Sequence, residues 1–213
     1  MSDKQLAFPK PRVIVLDIGN VLVGLDFSRA LARLKDYFPA PDDFARAQHW
    51  IRASEDDYAV GLLTTEAFVQ KAQQDLGLDP ELFVELWNDI FIERPYMLPF
   101  VRELREQGYA LAVCSNTNDL HAVYFQERYP YFQYIQYPIF SHLAHALKPD
   151  PAIYRAVEAA TGRPAAEHLF LDDLAENVAG ARALGWDAIC FETPEQVQAE
   201  LLARGVHFTP WKL

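Results

Sequence analysis

From Met97 to Phe191 the chain repeats one pattern: helical apolar spacing, a glycine, then a short apolar run. Helix Met97–Gln107 leads through Gly108 to strand Tyr109–Cys114, helix Pro151–Ala160 through Gly162 to strand His168–Leu171, and helix Ala175–Leu184 through Gly185 to strand Ala188–Phe191. Glycine just past a helix is the usual left-handed stop, and Gly77 and Gly205 stand in the same relation to helical spacing. Helix-then-strand units in series predict a parallel sheet. Tyr134–Phe140 reads as a further strand that Pro138 confines to an edge. A last helix opens at Thr193-Pro194-Glu195-Gln196, where Thr caps, Pro fills the first turn and Gln completes a capping box.

A first strand, Arg12–Leu16, precedes this series, and the interval between it and Tyr109 breaks the alternation. Phe27–Phe38, Asp42–Arg52, Thr64–Leu76 and Pro80–Ile90 all carry helical spacing with no convincing strand among them. Thr64 and Asp79 are placed to cap the third and fourth of these. The expected architecture is an α/β protein with a doubly wound, Rossmann-like parallel-sheet core, residues 1–23 and 96–213, and a small inserted all-helical cap, residues 24–95. A chain of 213 residues buries enough surface to need no covalent staple. Cys114 and Cys190 match neither a disulfide framework nor a zinc motif and read as reduced core thiols, which suits the cytoplasm. Met1–Lys10 lacks a leader's apolar stretch, no run is long enough to span a membrane, and the apolar tail Phe208–Leu213 is expected to pack down. With net charge −11 and no basic stripe, nucleic acid and membrane surfaces are excluded as partners. Any phosphate is then held locally, by a metal, a lysine or backbone amides.

Four strand ends carry chemistry. Asp17 closes the first strand, where an open parallel sheet presents its ligand crevice, although an Asp there also serves as a turn residue. Ser115-Asn116-Thr117-Asn118-Asp119 follows the second core strand and is either a helix cap or a hydroxyl-and-amide anion site. Lys148, before Pro149-Asp150-Pro151, is a solvated loop charge or a point cation for phosphate. Asp172 and Asp173 end a buried strand side by side, and such a pair repels itself unless a cation lies near. Mg²⁺ needs few carboxylates, so Asp17 with Asp172 or Asp173 suffices.

In this order, Asp17-Ile-Gly-Asn-Val21, Ser115-Asn-Thr-Asn118, Leu147-Lys-Pro-Asp-Pro-Ala-Ile-Tyr154 and Asp172-Asp-Leu-Ala-Glu-Asn177 resemble the four motifs of the haloacid dehalogenase-like hydrolase superfamily, and Tyr58–Phe68 resembles part of its small helical cap. The branch most similar in appearance includes bacterial α-glucose-1-phosphate phosphatases and the phosphatase domain of soluble epoxide hydrolases. The resemblance implies a Mg²⁺-dependent phosphatase acting on a small phosphorylated metabolite, sugar phosphates included, through an aspartyl-phosphate on Asp17. It implies that Ser115 and Lys148 hold the phosphoryl oxygens and that Asn116 helps to orient substrate. The metal would rest on Asp17, the backbone carbonyl of Gly19 and Asp173, with Asp172 close by and Asn177 supporting the acidic pair.

One position departs from the commonest pattern. A second Asp, acting as general acid and base, usually stands two residues after the nucleophile, and here that residue is Gly19. Its loss removes a group typically worth ~10²–10⁴-fold in rate. Asp26 is a candidate replacement, or the cap of the helix that follows. Two other classes stay open: a weakly active or inactive phosphate-ligand binder, and a metal-independent 2-haloacid dehalogenase, against which the acidic pair counts. His142 and His145 lack a third ligand with matching spacing and read as surface or packing residues. Arg46, His49, Trp50 and Arg52 read as one solvated face and a buried ring before they read as a substrate reader.

Overall fold

Strand β1 (Val13–Leu16) sends Ile14 and Leu16 into one apolar layer and Val13 and Val15 into another, the period of two that a strand buried on both faces requires. The computed structural model describes residues 10–212; the leader-free reading of the first nine residues and the fate of Leu213 lie outside them. After β1 come β2 (Val23–Leu25), helices α1 (Ser28–Tyr37), α2 (Pro41–Ala59), α3 (Thr65–Leu76) and α4 (Pro80–Asn88), and β3 (Phe91–Glu93). The alternating part follows: α5 (Met97–Glu106), β4 (Ala110–Ser115), α6 (Asp119–Arg128), β5 (Tyr137–Phe140), α7 (Ser141–Ala144), α8 (Pro151–Thr161), β6 (His168–Asp172), α9 (Ala175–Ala183), β7 (Asp187–Cys190) and α10 (Pro194–Ala203).

The five core strands form one parallel sheet in the order β5-β4-β1-β6-β7. Leu16 pairs with Val113 on one side and Leu171 on the other, so the carboxyl ends of β4, β1 and β6 lie together. Strand order reverses beside β1, which opens the crevice where such sheets bind ligands. The five glycines read as helix stops all have positive φ. The expected strand Tyr134–Phe140 is shorter: Pro130–Tyr134 winds into a 3₁₀ turn, and β5, with Pro138, is the sheet edge.

Two expectations are corrected. The interval after β1 does contain strands: β2 and β3 form an antiparallel ribbon, Val23 opposite Glu93 and Leu25 opposite Phe91. Three residues each, with Gly24 in the middle of one, are too short to show a periodicity. The second helix of the insert runs on to Ala59 instead of ending at Arg52, because Glu55, Asp56 and Asp57 occupy its exposed side while Tyr58 and Ala59 are buried.

The insert has its own core of Leu34, Tyr58, Phe68, Phe83 and Trp87, with the Tyr58 and Phe68 rings 4.2 Å apart. Thr64 accepts from the amide of Ala67 and Asp79 from those of Glu81 and Leu82, as expected of their caps. Thr193 likewise caps α10, but Gln196 accepts from the Glu192 amide, one residue earlier than a capping box has it. The end of α2 is latched to the sheet's carboxyl edge. The Ser141 hydroxyl lies 2.6 Å from Ala59 O and 2.9 Å from Thr117 O, and accepts from Thr117 N. His142 and His145 belong to the same junction, with Nδ1 atoms 3.1 Å from Thr117 O and Val60 O. Gly61, at φ +79°, comes so close that a Cβ would stand 2.2 Å from His142 O. At the other end Phe208 and Trp211 pack on Phe100.

Candidate active site

Asp17 follows β1 directly and its amide hydrogen-bonds Leu171 O on β6, which sets its side chain at the crevice. Ser115 ends β4, Lys148 lies between α7 and α8, and Asp172 ends β6. All four are buried. The Lys148 ammonium lies 2.8 Å from Asp17 Oδ1 and 2.6 Å from Asp172 Oδ2. It stands off the hydrogen-bonding direction of Asp17, so that buried Oδ1 has a charge beside it and no aligned donor. Asp172 is fully engaged: Oδ1 accepts from the Leu174 amide and Asn177 Nδ2, and Oδ2 from Lys148. Asp173 accepts from Asn20 Nδ2 at 2.9 Å.

Burial pushes the Asp17 carboxyl up from 3.8 to about 6, with Lys148 pulling it back and Asp172 adding to the rise. Burial lowers Lys148, but the two carboxylates outweigh it and hold the ammonium above its ordinary range. Lys148 is therefore charged at every physiological pH.

Carboxylate oxygens of Asp17, Asp172 and Asp173 lie within 4.8 Å of one another. Three carboxylates against one ammonium leave two negative charges uncompensated. A hard divalent cation fits this oxygen donor set and this charge. Asp172 has the least left to offer such an ion, since its oxygens already hold Lys148, Leu174 and Asn177.

Asn116 does more for the lysine than its sequence position suggests. Its Oδ1 accepts from Lys148 N at 2.7 Å and its Nδ2 donates to Lys148 O at 3.0 Å, a two-way clamp that leaves one N–H for a ligand. The cap reading of the loop after β4 falls on Asn118, whose side chain accepts from His121 N at the start of α6. Gly19 bridges Val23 with no positive φ; that conformation belongs to Asn20, at φ +52°. Asn20 was not singled out by the sequence, although an Asn after Gly in a strand-ending turn is the residue that tolerates this backbone. Asp26 is partly exposed and its Oδ1 takes the Ser28 amide at 2.8 Å; the Ser28 side chain and then this amide lower its carboxyl below the usual range. It ties down the start of α1, and a low carboxyl is a poor proton donor near neutrality. The Arg46 cluster stands apart from the four strand ends: Arg46 pairs with Asp43, and Trp50 stacks on Phe68 and donates to Asp75.

A family model for haloacid dehalogenase-like hydrolases matches residues 11–185. A phosphatase of Mycobacterium tuberculosis is 25% identical over 193 residues, covering 87% of this chain and 89% of that protein. An enzyme of the same family from Bacteroides thetaiotaomicron, crystallised with magnesium and inorganic phosphate, superposes with a TM-score of 0.73 at 24% identity over 84% of this chain and 93% of that one. An L-2-haloacid dehalogenase from Xanthobacter autotrophicus superposes with a TM-score of 0.60 at 16% identity, over 93% and 85% of the two chains. At such identities these structures speak for the fold. None of the helices among the described residues is long and apolar enough to cross a membrane.

Proposed function

The chain belongs to the haloacid dehalogenase-like hydrolase family, and from that premise we propose that it is a Mg²⁺-dependent phosphatase that cleaves a small phosphorylated metabolite by way of a phosphoryl group carried on Asp17. The observation that carries this reading is the meeting of three carboxylates with a single buried ammonium at the ends of β1 and β6. A dehalogenase that needs no metal has no use for the two surplus charges. The magnesium-and-phosphate complex of the Bacteroides enzyme and the phosphatase name of the mycobacterial relative point the same way.

Asp17, Asp173 and the Gly19 carbonyl would hold the ion, with Asp172 beside them. Bound there, Mg²⁺ supplies positive charge to the phosphoryl oxygens and offsets the carboxylates. Lys148 and Ser115 hold the same oxygens in line with Asp17. A carboxylate oxygen of Asp17 forms a bond to phosphorus while the ester P–O bond breaks and its electron pair leaves on the ester oxygen. Water then attacks the phosphoryl group, releasing inorganic phosphate and restoring the Asp17 carboxylate. At pH above about 6 Asp17 is ionised, as a nucleophile must be, with the Lys148 ammonium 2.8 Å from its Oδ1. Asn116 positions Lys148 through its main chain, and Asp172, fixed by Asn177 and Leu174, holds the ammonium from the far side.

Gly19 favours a second reading, a phosphate-ligand binder with little turnover, because no acid stands where the leaving oxygen needs a proton. Hydrolysis of p-nitrophenyl phosphate with Mg²⁺ and with EDTA separates the two. The phosphatase reading expects turnover with Mg²⁺, none in EDTA, none from Asp17→Asn, and a beryllofluoride adduct on Asp17. A folded Asp17→Asn protein with wild-type activity overturns it.

A further inference from the structure

Of the three clustered carboxylates, Asp173 is the one least held. Asp172 is buried with three bonds on its two oxygens, and Asp17 lies against the Lys148 ammonium. Asp173 is half-buried, and among the described residues its carboxylate has one hydrogen-bond partner, Asn20, whose Nδ2 donates to Oδ2 at 2.9 Å. Carboxylates whose oxygens lie within 4.8 Å of one another repel, and one with water beside it relieves that repulsion by turning outward. The Asn20 bond opposes this turn. It occupies Oδ2 and leaves Oδ1 for a cation.

The same amide has a second attachment, because Asn20 Oδ1 accepts from Leu25 N at 3.3 Å. Leu25 ends β2, and the next amide, Asp26 N, donates across the ribbon to Ile90 O at 2.7 Å, so the alternation of a strand turns the Leu25 amide the other way, onto Asn20. The position calls for a donor to a carboxylate and an acceptor for an amide, on a side chain short enough to serve both from a left-handed backbone at φ +52°. Asparagine meets all three demands. Aspartate would keep the bond to Leu25 but set a further negative charge against Asp173, and glycine would keep the backbone and lose both bonds.

We propose that Asn20 is a positioning residue of the cation site: it holds Asp173 turned toward Asp17 and Asp172 and keys that carboxylate to the ribbon from which the insert hangs. The proposal rests on the reading of the three carboxylates as a Mg²⁺ site, and Asn20 acts on the ion only through Asp173. Loss of a partner that orients a metal ligand typically costs about 10–100-fold in metal affinity.

Binding can be read without turnover, from the rise of the urea-unfolding midpoint as Mg²⁺ is added at constant ionic strength. Asn20→Gly should need at least about tenfold more Mg²⁺ than the wild type for the same rise. With Asp173→Ala already in place, Asn20→Gly should cost nothing further, since the two losses are then the same loss. A loop only loosened by glycine would instead weaken binding through Asp17 and Gly19 in either background. In EDTA, hydrogen exchange of the Leu25 amide should quicken in Asn20→Gly and keep its wild-type rate in Asp173→Ala. Wild-type Mg²⁺ affinity in Asn20→Gly overturns the proposal, as does a loss of equal size with and without Asp173, or a Leu25 amide that exchanges in Asn20→Gly as it does in the wild type. Those results leave the metal assignment standing, whereas a wild type that Mg²⁺ does not stabilise brings down the metal assignment and this role of Asn20 with it.

Discussion

Asp17→Asn should make the metal-free protein more stable at neutral pH while abolishing its chemistry. Asp17 is buried, and its carboxyl is raised from 3.8 to about 6 chiefly by that burial. An acid whose pKa rises on folding contributes stability that is fully present below the unfolded value, and that contribution is lost as pH rises through the folded one. At roughly 1.4 kcal/mol per pH unit, the span from 3.8 to about 6 corresponds to about 3 kcal/mol lost between pH 4 and pH 7. Asparagine keeps the shape without the charge, and Lys148 retains Asp172 at 2.6 Å. In EDTA the variant should therefore exceed the wild type by about 3 kcal/mol at pH 7.5, and the two should converge near pH 4. Urea unfolding of both proteins at several pH values measures this directly. Adding Mg²⁺ should narrow or reverse the gap, since a ligand at a hundredfold excess over its Kd contributes ~2.7 kcal/mol to the form that binds it. If Asp17→Asn is no more stable than the wild type in EDTA at pH 7.5, or if the difference does not change with pH, the buried charge has been misread.

Asp173→Ala leaves Lys148 with both of its partners and removes a carboxylate from the cluster of three; the Mg²⁺ concentration for half-maximal turnover should rise at least tenfold, and equal activity in EDTA and millimolar Mg²⁺ in the wild type would refute the metal assignment. Gly19→Asp meets no positive φ and only the flexible end of Leu25, 3.2 Å from the new Cβ; it should raise turnover of alkyl phosphates about 10²-fold and that of aryl phosphates much less. Without it, turnover should fall steeply as leaving-group pKa rises, and Asp26→Asn should not change that slope. Gly61→Ala forces a left-handed alanine and a Cβ 2.2 Å from His142 O; thermal unfolding should show a loss of about 2 kcal/mol or more, and an unchanged midpoint would refute the close approach.

The alternation of helix and strand from Met97 onward was legible because each unit carries its own periodicity and its own glycine stop. Asp17, Ser115 and Asp172 were legible for the same reason, being the residues at which strand periodicities end, whereas Lys148 was legible as a cation in the loop before Pro149, and the fold brings Lys148 against Asp17 and Asp172. What stayed hidden is what periodicity cannot carry. The β2–β3 ribbon is too short to repeat, and the bond from Asn20 to Asp173 joins residues far apart in the chain. The family resemblance implies that Asn116 helps to orient substrate, and the sequence shows no other part for it. Its clamp on Lys148 depends on a loop whose path only the folded sheet determines. Asp26 had two readings in the sequence; its bond from Ser28 N ties it to the start of α1, and Asp26→Asn tests the other.

The β2–β3 ribbon has a further consequence. Leu25 and Phe91 face each other as antiparallel partners, so the chain leaves for the helical insert and returns from it at neighbouring points, about 5 Å apart as such pairs are. The sheet never depends on the insert to bridge a gap. Such a doorway lets whatever hangs beyond it lengthen, shrink or be exchanged without moving β1 or Asp17. A chimera carrying another helical insert between Leu25 and Phe91 is the natural form for that freedom to take in the laboratory.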